Sequence, residues 1–406
     1  MMPNKQRADL TFKDNVKRGR HGWVRLTPAY SVKIVQQILI ENPNIQSILE
    51  PFSGTGTTGL VAAQSGLQCD LLDINPFLVW LARVKCANYE TEQLKRMREA
   101  ASVILEQAKE LHHENDLWQP PINHIERWWS DGRLHTLSKI FHVLHQEFPT
   151  PSPEKDLLLI AFCRLIMRWS NAAFNHQSMS FKKAVHQLQM FDEEETIYQS
   201  FLDDVTRISQ AANEAITGII NVFLHDSRQV MLNGDKRYDA VITSPPYVNR
   251  MSYIRELRPY MYWLGYLKKA REAGELDWQA IGGTWGIATS RLNDWQPDDT
   301  ADNIPQLKSI VDEIAQSSEV LSRYVHKYFA DIAAHFANLN QVVKPGGKLY
   351  YIIGNSKFYD TLVPVEQIYA DLMEQHGFID VQIKTIRKRN SKKELYEFLV
   401  SAQKPR

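Results

Sequence analysis

Short apolar runs alternate with stretches of helical periodicity along most of the chain, a pattern that predicts an α/β fold built on a parallel sheet. The runs are 45–49, 69–74, 221–224, 238–243, 348–353, 381–386 and 396–400, which makes seven strands. The last two are joined through the short basic link 387–393, too short for a crossover helix, so these two are expected to pair antiparallel. Between 88 and 220 the periodicity is helical and no clear strand stands out. There Leu157, Ile160, Arg164, Ile166 and Trp169 mark a mostly apolar helix behind the break Pro149-Thr-Pro-Ser-Pro153. This stretch, 89–220, reads as a large helical insertion. A second insertion, 255–330, mixes aromatics with a glycine-rich segment at 281–286. It leads into one long amphipathic helix carrying Ile310, Ile314, Leu321, Val325, Tyr328, Ile332 and Phe336. Lys344-Pro-Gly-Gly347 ends that segment before the next strand. Residues 1–88, 221–254 and 331–406 remain as the sheet core.

Where the first run ends, the chain reads Glu50-Pro-Phe-Ser-Gly-Thr-Gly-Thr-Thr-Gly59. Gly54, Gly56 and Gly59 have the spacing that lets a backbone turn tightly, approach a ligand and seat a helix on a sheet. Pro51 has no N–H for a central ladder, so the strand ends near Glu50. A carboxylate there would repel a pyrophosphate by roughly 3–4 kcal/mol per charge at an effective dielectric of about 20, and would attract a cation. Asp73 closes the second run, 19 positions after Gly54, the spacing of a carboxylate that accepts both hydroxyls of a ribose. A ribose at one end and positive charge at the other describe S-adenosylmethionine better than a dinucleotide. Plain alternatives stand beside this reading: Glu50 as a solvated strand end, Asp73 as a helix cap.

The run at 238–243 stops at Ser244-Pro-Pro-Tyr247. Two prolines end a buried parallel strand at the carboxyl edge of the sheet, where open α/β folds bind ligands. They fix their φ angles and carry no N–H, which holds their carbonyls rigidly. The Ser244 hydroxyl and the Pro245 carbonyl are two convergent acceptors, and Tyr247 offers a flat face. A planar ring bearing an amino group fits that set.

With these two motifs in hand, the chain resembles the DNA amino-methyltransferases, which methylate exocyclic amines of cytosine or adenine. Their [DE]-P-F-x-G-x-G-T loop reads Glu50-Pro-Phe52-Ser-Gly54-Thr-Gly56-Thr57 here, and their [SND]-P-P-[YFW] tetrapeptide reads Ser244-Pro245-Pro246-Tyr247. The resemblance covers roughly 20–88, 221–254 and 335–404. It implies a seven-stranded Rossmann-like S-adenosylmethionine-dependent fold with Asp73 on the ribose, Ile74 against adenine and Asp226 near the adenine amino group. Thr27 and Pro28 would sit at the methionine end, with Glu50, Phe52, Gly54, Gly56 and Thr57 completing the cofactor set. The segment between the two halves, 89–220, becomes the first candidate for reading DNA sequence, and 255–330 the second.

The amino nitrogen of cytosine is a poor nucleophile because its lone pair is delocalised. Hydrogen bonds to Ser244 and the Pro245 carbonyl would favour a pyramidal nitrogen poised for in-line attack on a sulfonium methyl. Methylation at a ring carbon needs a cysteine, usually after a proline in the enzymes that do it; Cys69, Cys86 and Cys163 do not follow one. The base must leave the duplex, and stacking on Tyr247 is worth about 1–3 kcal/mol towards that cost. Serine in the tetrapeptide points to cytosine within the family. Adenine N6, an RNA amine, and an inactive cofactor-binding DNA module compete with it. The resemblance also suggests a partner restriction endonuclease acting on the same site.

Composition adds little that is specific. Lys+Arg and Asp+Glu are both 47, so double-stranded DNA must be met by local patches rather than by net charge. Candidates are Lys13, Lys17, Arg18, Arg20 and Arg25, the link at 387–393, and the set Arg250, Tyr253, Arg255, Arg258, Tyr260 and Tyr262, half of which suits a core. His112-His113 and Trp128-Trp129 lack partner spacing, so no metal or stacking role is expected of them. With no signal core, no membrane-length run and no C-x-x-C pair, a cytoplasmic protein without a metal site is expected.

Overall fold

The computed structural model describes residues 7–26, 29–111, 117–173, 180–181, 193–229, 236–249, 252–284, 286–296, 304, 306–389 and 394–406. Seven strands form one sheet: β1 (Ser47–Glu50), β2 (Gln68–Asp73), β3 (Ile219–Leu224), β4 (Tyr238–Thr243), β5 (Val343–Gly354), β6 (Ile379–Lys388) and β7 (Tyr396–Gln403). Their order across the sheet is β3-β2-β1-β4-β5-β7-β6. Only β7 runs antiparallel, pairing that way with both β5 and β6, as the short link at 387–393 requires. This is a seven-stranded Rossmann-like sheet. The chain moves outward from β1 to β2 and β3, then returns to β4 on the other side of β1. That reversal opens a crevice at the carboxyl ends of β1 and β4.

Local chemistry explains the elements that frame the crevice. β1 stops at Glu50 because Pro51 follows. Gly56 takes a left-handed φ of 73° and starts α1 (Thr57–Gln64). A Cβ at Gly59 would overlap the Leu71 side chain, so only glycine lets α1 lie this close to β2. Asn75 caps α2 (Pro76–Lys85), accepting the Phe77 N–H at 3.0 Å, with Pro76 at the first helical position.

The 89–220 insertion is helical: α3 (Thr91–Glu110), α4 (Asp131–Glu147), α5 (Pro153–Arg168) and α6 (Glu193–Ala212). Apart from the first residues of β3, a two-residue pairing of Ala172–Ala173 with Ser180–Phe181 is its only strand structure among the described residues, too short to register as a periodicity. The insertion does not stand apart. Its apolar residues share one cluster with Phe77 and Leu81 of α2 and with α7 (Tyr253–Trp263). Trp263 is fully buried, with ring centroids of Trp118, Trp129, Phe141 and Phe162 at 5.8, 5.9, 5.4 and 5.1 Å. Trp128 and Trp129 lie in this core.

Two expectations for the chain after residue 255 need correction. The single long helix is two, α8 (Leu307–Ala315) and α9 (Glu319–Val342), because the Ser318 side chain accepts the Leu321 N–H and caps a new start. Lys344-Pro-Gly-Gly347 does not precede β5 but lies inside it as a bulge, where the register jumps between Tyr238↔Val343 and Ala240↔Lys348. Among the described residues no helix is long and apolar enough to cross a membrane.

Candidate active site

A cavity of about 120 Å³ opens at the carboxyl ends of β1 to β4. Phe52, Gly54, Thr57, Asp73, Ile74, Asp226, Ser244, Pro245 and Pro246 all line it, so both sequence motifs meet in one place. Thr27 and Pro28 lie outside the described residues. Asp73 holds the glycine loop: its two oxygens accept the Gly54 N–H at 2.9 Å and the Asn75 N–H at 2.8 Å. Each carboxylate oxygen has a second lone pair, so the group can still accept from a ligand. Burial raises Asp73 to about 6, against the backbone bonds that oppose it.

Glu50 and Gly56 act differently from expectation. Glu50 does not face the cavity; it is fully buried behind it. Tyr30 donates its hydroxyl to Glu50 at 2.5 Å and Thr243 donates to the other oxygen, with Thr58 alongside. A carboxylate at the end of a central strand turns to the nearest donors, and hydroxyls on three neighbouring elements are closer than the cavity. Glu50 therefore sets Tyr30, which does line the cavity, rather than meeting a ligand itself. Gly56 also makes no wall; its left-handed turn and its closeness to Ala82 aim α1. Beneath the loop the buried Lys85 donates to the Thr55 carbonyl at 2.6 Å, and burial lowers its pKa to about 8.

Burial raises Glu50 from its ordinary 4.5 to about 7, and the hydroxyl donors only partly oppose it. The folded chain thus binds this proton more tightly than the unfolded chain does. Glu50's contribution then makes stability fall as pH rises from about 4.5 through about 7. Glu50→Gln should abolish that component, which denaturant melts of both proteins across this window will read. Parallel curves would mean that the carboxylate does not carry the proton in the folded state.

Asp226 lines the cavity but is shared. Arg228 grips both its oxygens, with Nε at 3.0 and 3.2 Å and Nη2 at 2.7 Å, and reaches Asp331 through Nη1 at 2.7 Å. Burial works to raise the Asp226 pKa, and the Arg228 bonds outweigh it, leaving the carboxyl below its usual range. Arg228 also donates to the Gln279 carbonyl at 2.7 Å; Gln279, Ala280 and Ile281 form another wall. The second insertion therefore helps close this cavity, which no sequence signal announced.

Among the described residues, two buried polar atoms in the lining have no protein partner: Ser53 Oγ and His225 Nε2. Leaving such atoms unpaired costs about 1–3 kcal/mol each, so they suit a ligand that supplies hydrogen bonds. Neither was singled out from the sequence, although each stands beside a residue that was.

At the other end of the cavity, Ser244 donates its hydroxyl to the Ile352 carbonyl at 2.8 Å, which turns its lone pairs elsewhere as acceptors. Tyr328 donates to the Pro246 carbonyl at 2.8 Å and fixes the second proline. Tyr247 is not part of the cavity wall. Its ring lies under the Arg389 guanidinium, 4.9 Å from the centroid, so the flat face expected of it is covered.

The basic candidates divide. Arg20 is buried and donates to the carbonyls of Lys85, Ala87, Ala211, Ala212 and Glu214, which caps the ends of α2 and α6. Five carbonyls satisfy its five donors, so a phosphate role is excluded for it. Arg18 pairs with Asp14, while Lys13, Lys17 and Arg25 are exposed. Of the set after the tetrapeptide, Tyr260 and Tyr262 are core, Tyr253 lines the cavity, Arg258 covers Trp128, and Arg250 lies outside the described residues. His112 and His113 also lie outside them.

No family model matches the chain. It is similar over most of its length to type II methyltransferases. It is 23% identical to M.BsoBI of Geobacillus stearothermophilus, covering 94% of this chain and 82% of that protein. It is 20% identical to M.MvaI of Kocuria varians, covering 85% and 77%, and 21% identical to M.AvaI of Nostoc sp., covering 92% and 82%. The rRNA methyltransferase aviRa from Streptomyces viridochromogenes superposes over 98% of this chain and 94% of its own at 11% identity, with a TM-score of 0.30.

Proposed function

From this likeness to type II methyltransferases we propose that the chain is a DNA amino-methyltransferase that uses S-adenosylmethionine and modifies the 4-amino group of cytosine. One observation carries the reading: Asp73 and the Ser244–Pro245 pair open onto the same cavity. S-adenosylmethionine, when bound, supplies an electrophilic methyl group on a sulfonium. The residues present suit it. Asp73 would take the ribose hydroxyls, Ile74 and Phe52 the adenine, and Asp226 its amino group. Ser53 and His225 would gain the partners they lack.

The tetrapeptide supplies the other half. Ser244 Oγ and the Pro245 carbonyl accept the two N–H groups of an extruded amine, which holds the nitrogen pyramidal and aims its lone pair into the cavity. Because Ser244 spends its own proton on Ile352, it meets the amine as an acceptor. Serine at this position favours cytosine by the family's habit, and a partner restriction endonuclease belongs to the same reading. The 89–220 insertion is proposed as the sequence reader, with 255–330 second.

Nucleosides from DNA incubated with the protein and S-adenosylmethionine should contain 4-methylcytosine and no 5-methylcytosine, as mass spectrometry will show. Finding 6-methyladenine would overturn the base assignment; transfer to RNA alone, or to a ring carbon, would overturn the reading. Sequencing the sites methylated by a chimera with another 89–220 segment tests the reader assignment.

A further inference from the structure

The ring of Tyr247 already carries a stacked cation. Arg389 directly follows β6, and its Nη1 donates to the Asn355 carbonyl at 2.8 Å while the guanidinium covers the ring. Gly354, at the end of β5, makes room: a Cβ there would overlap Nη1 and come within 3.0 Å of Tyr247 Cε2. The tyrosine is held by bonds of its own. Its hydroxyl donates to Glu397 at 3.0 Å, and Arg387 grips Glu397 through bonds of 2.8 and 3.1 Å. The Tyr247 N–H donates to the Tyr253 hydroxyl at 3.1 Å. Arg389 instead reaches the ring across a long side chain from a strand end.

A guanidinium over an aromatic ring occupies the area a nucleobase needs for stacking. The two interactions are of comparable strength, so one can replace the other reversibly. We propose that Arg389 is a placeholder in the target-base slot. In the DNA-free protein its guanidinium covers the Tyr247 face on which the extruded base stacks, and it yields that face when the base arrives. This rests on the amino-methyltransferase reading. The slot is thereby kept filled between turnovers, and capture of the base is a displacement rather than entry into an open site.

The test uses the full chain and duplex DNA containing the target site. Arg389→Ala removes the competitor and should lower the KM for DNA roughly three- to thirty-fold, the range expected for losing a cation–π contact. Duplexes with 2-aminopurine at the target position should be brighter in complex with this variant, since more base is extruded. Arg389→Lys restores a weaker competitor and should fall between. In a Tyr247→Ala background the Arg389→Ala change should lose its effect on KM, because no ring remains to contest. A phosphate contact by Arg389 would instead raise KM in both backgrounds, and that result overturns the placeholder role, as does an unchanged KM beside an active parent. A parent protein that methylates no DNA overturns the functional reading itself.

Discussion

Asp73→Ala should weaken S-adenosylmethionine binding by at least about 100-fold while the protein stays folded. Two ribose hydroxyls bonded to an ionised carboxylate are worth about 1.5–3 kcal/mol each, and either one alone accounts for more than a tenfold change. The loop also loses its tether, because the Gly54 and Asn75 N–H groups now bond to the same carboxylate. Asp73→Asn keeps one acceptor oxygen and should give an intermediate loss. The raised pKa adds a second signature. Ribose donors favour the ionised form, so affinity should decline as pH falls through about 6. Calorimetry across pH measures both; unchanged affinity in the alanine variant would remove Asp73 from the site.

In an Arg389→Ala background, Tyr247→Ala should cut kcat/KM for methyl transfer about 5- to 150-fold, the equivalent of losing about 1–3 kcal/mol of base stacking. With Arg389 in place the loss should be smaller, because the base then exchanges a cation–π contact for stacking. Cofactor affinity should change little, because Tyr247 lies outside the cavity wall. Tyr247→Phe separates ring from hydroxyl: it loses the bond to Glu397 but keeps the stacking face, and should retain most of the activity. Ser244→Ala should cost roughly a further tenfold through one lost amine acceptor. Steady-state kinetics beside cofactor binding distinguishes these outcomes. A Tyr247→Phe variant as impaired as Tyr247→Ala would mean that the hydroxyl, not the face, is what the reaction needs.

The sequence by itself determined the parts that obey short-range rules. Pro51 ends β1 because it has no N–H, Gly56 starts α1 because its φ is positive, and the Ser244 tetrapeptide ends β4 because its prolines cannot continue a ladder. The Asp73 spacing follows from one turn and one helix, so it too is local. Sheet class and the antiparallel final pair came from run lengths and the short link at 387–393. Only the tertiary structure decided which charged group meets which partner. Glu50 turned to Tyr30 and Thr243, Arg20 to carbonyls nearly two hundred residues away, Arg228 to Asp331, and Arg389 to Tyr247. Long polar side chains have many reachable partners, and nothing in residue spacing ranks them. Burial does, by making every unpaired donor or carboxylate costly, and burial exists only once the chain has packed into its tertiary structure.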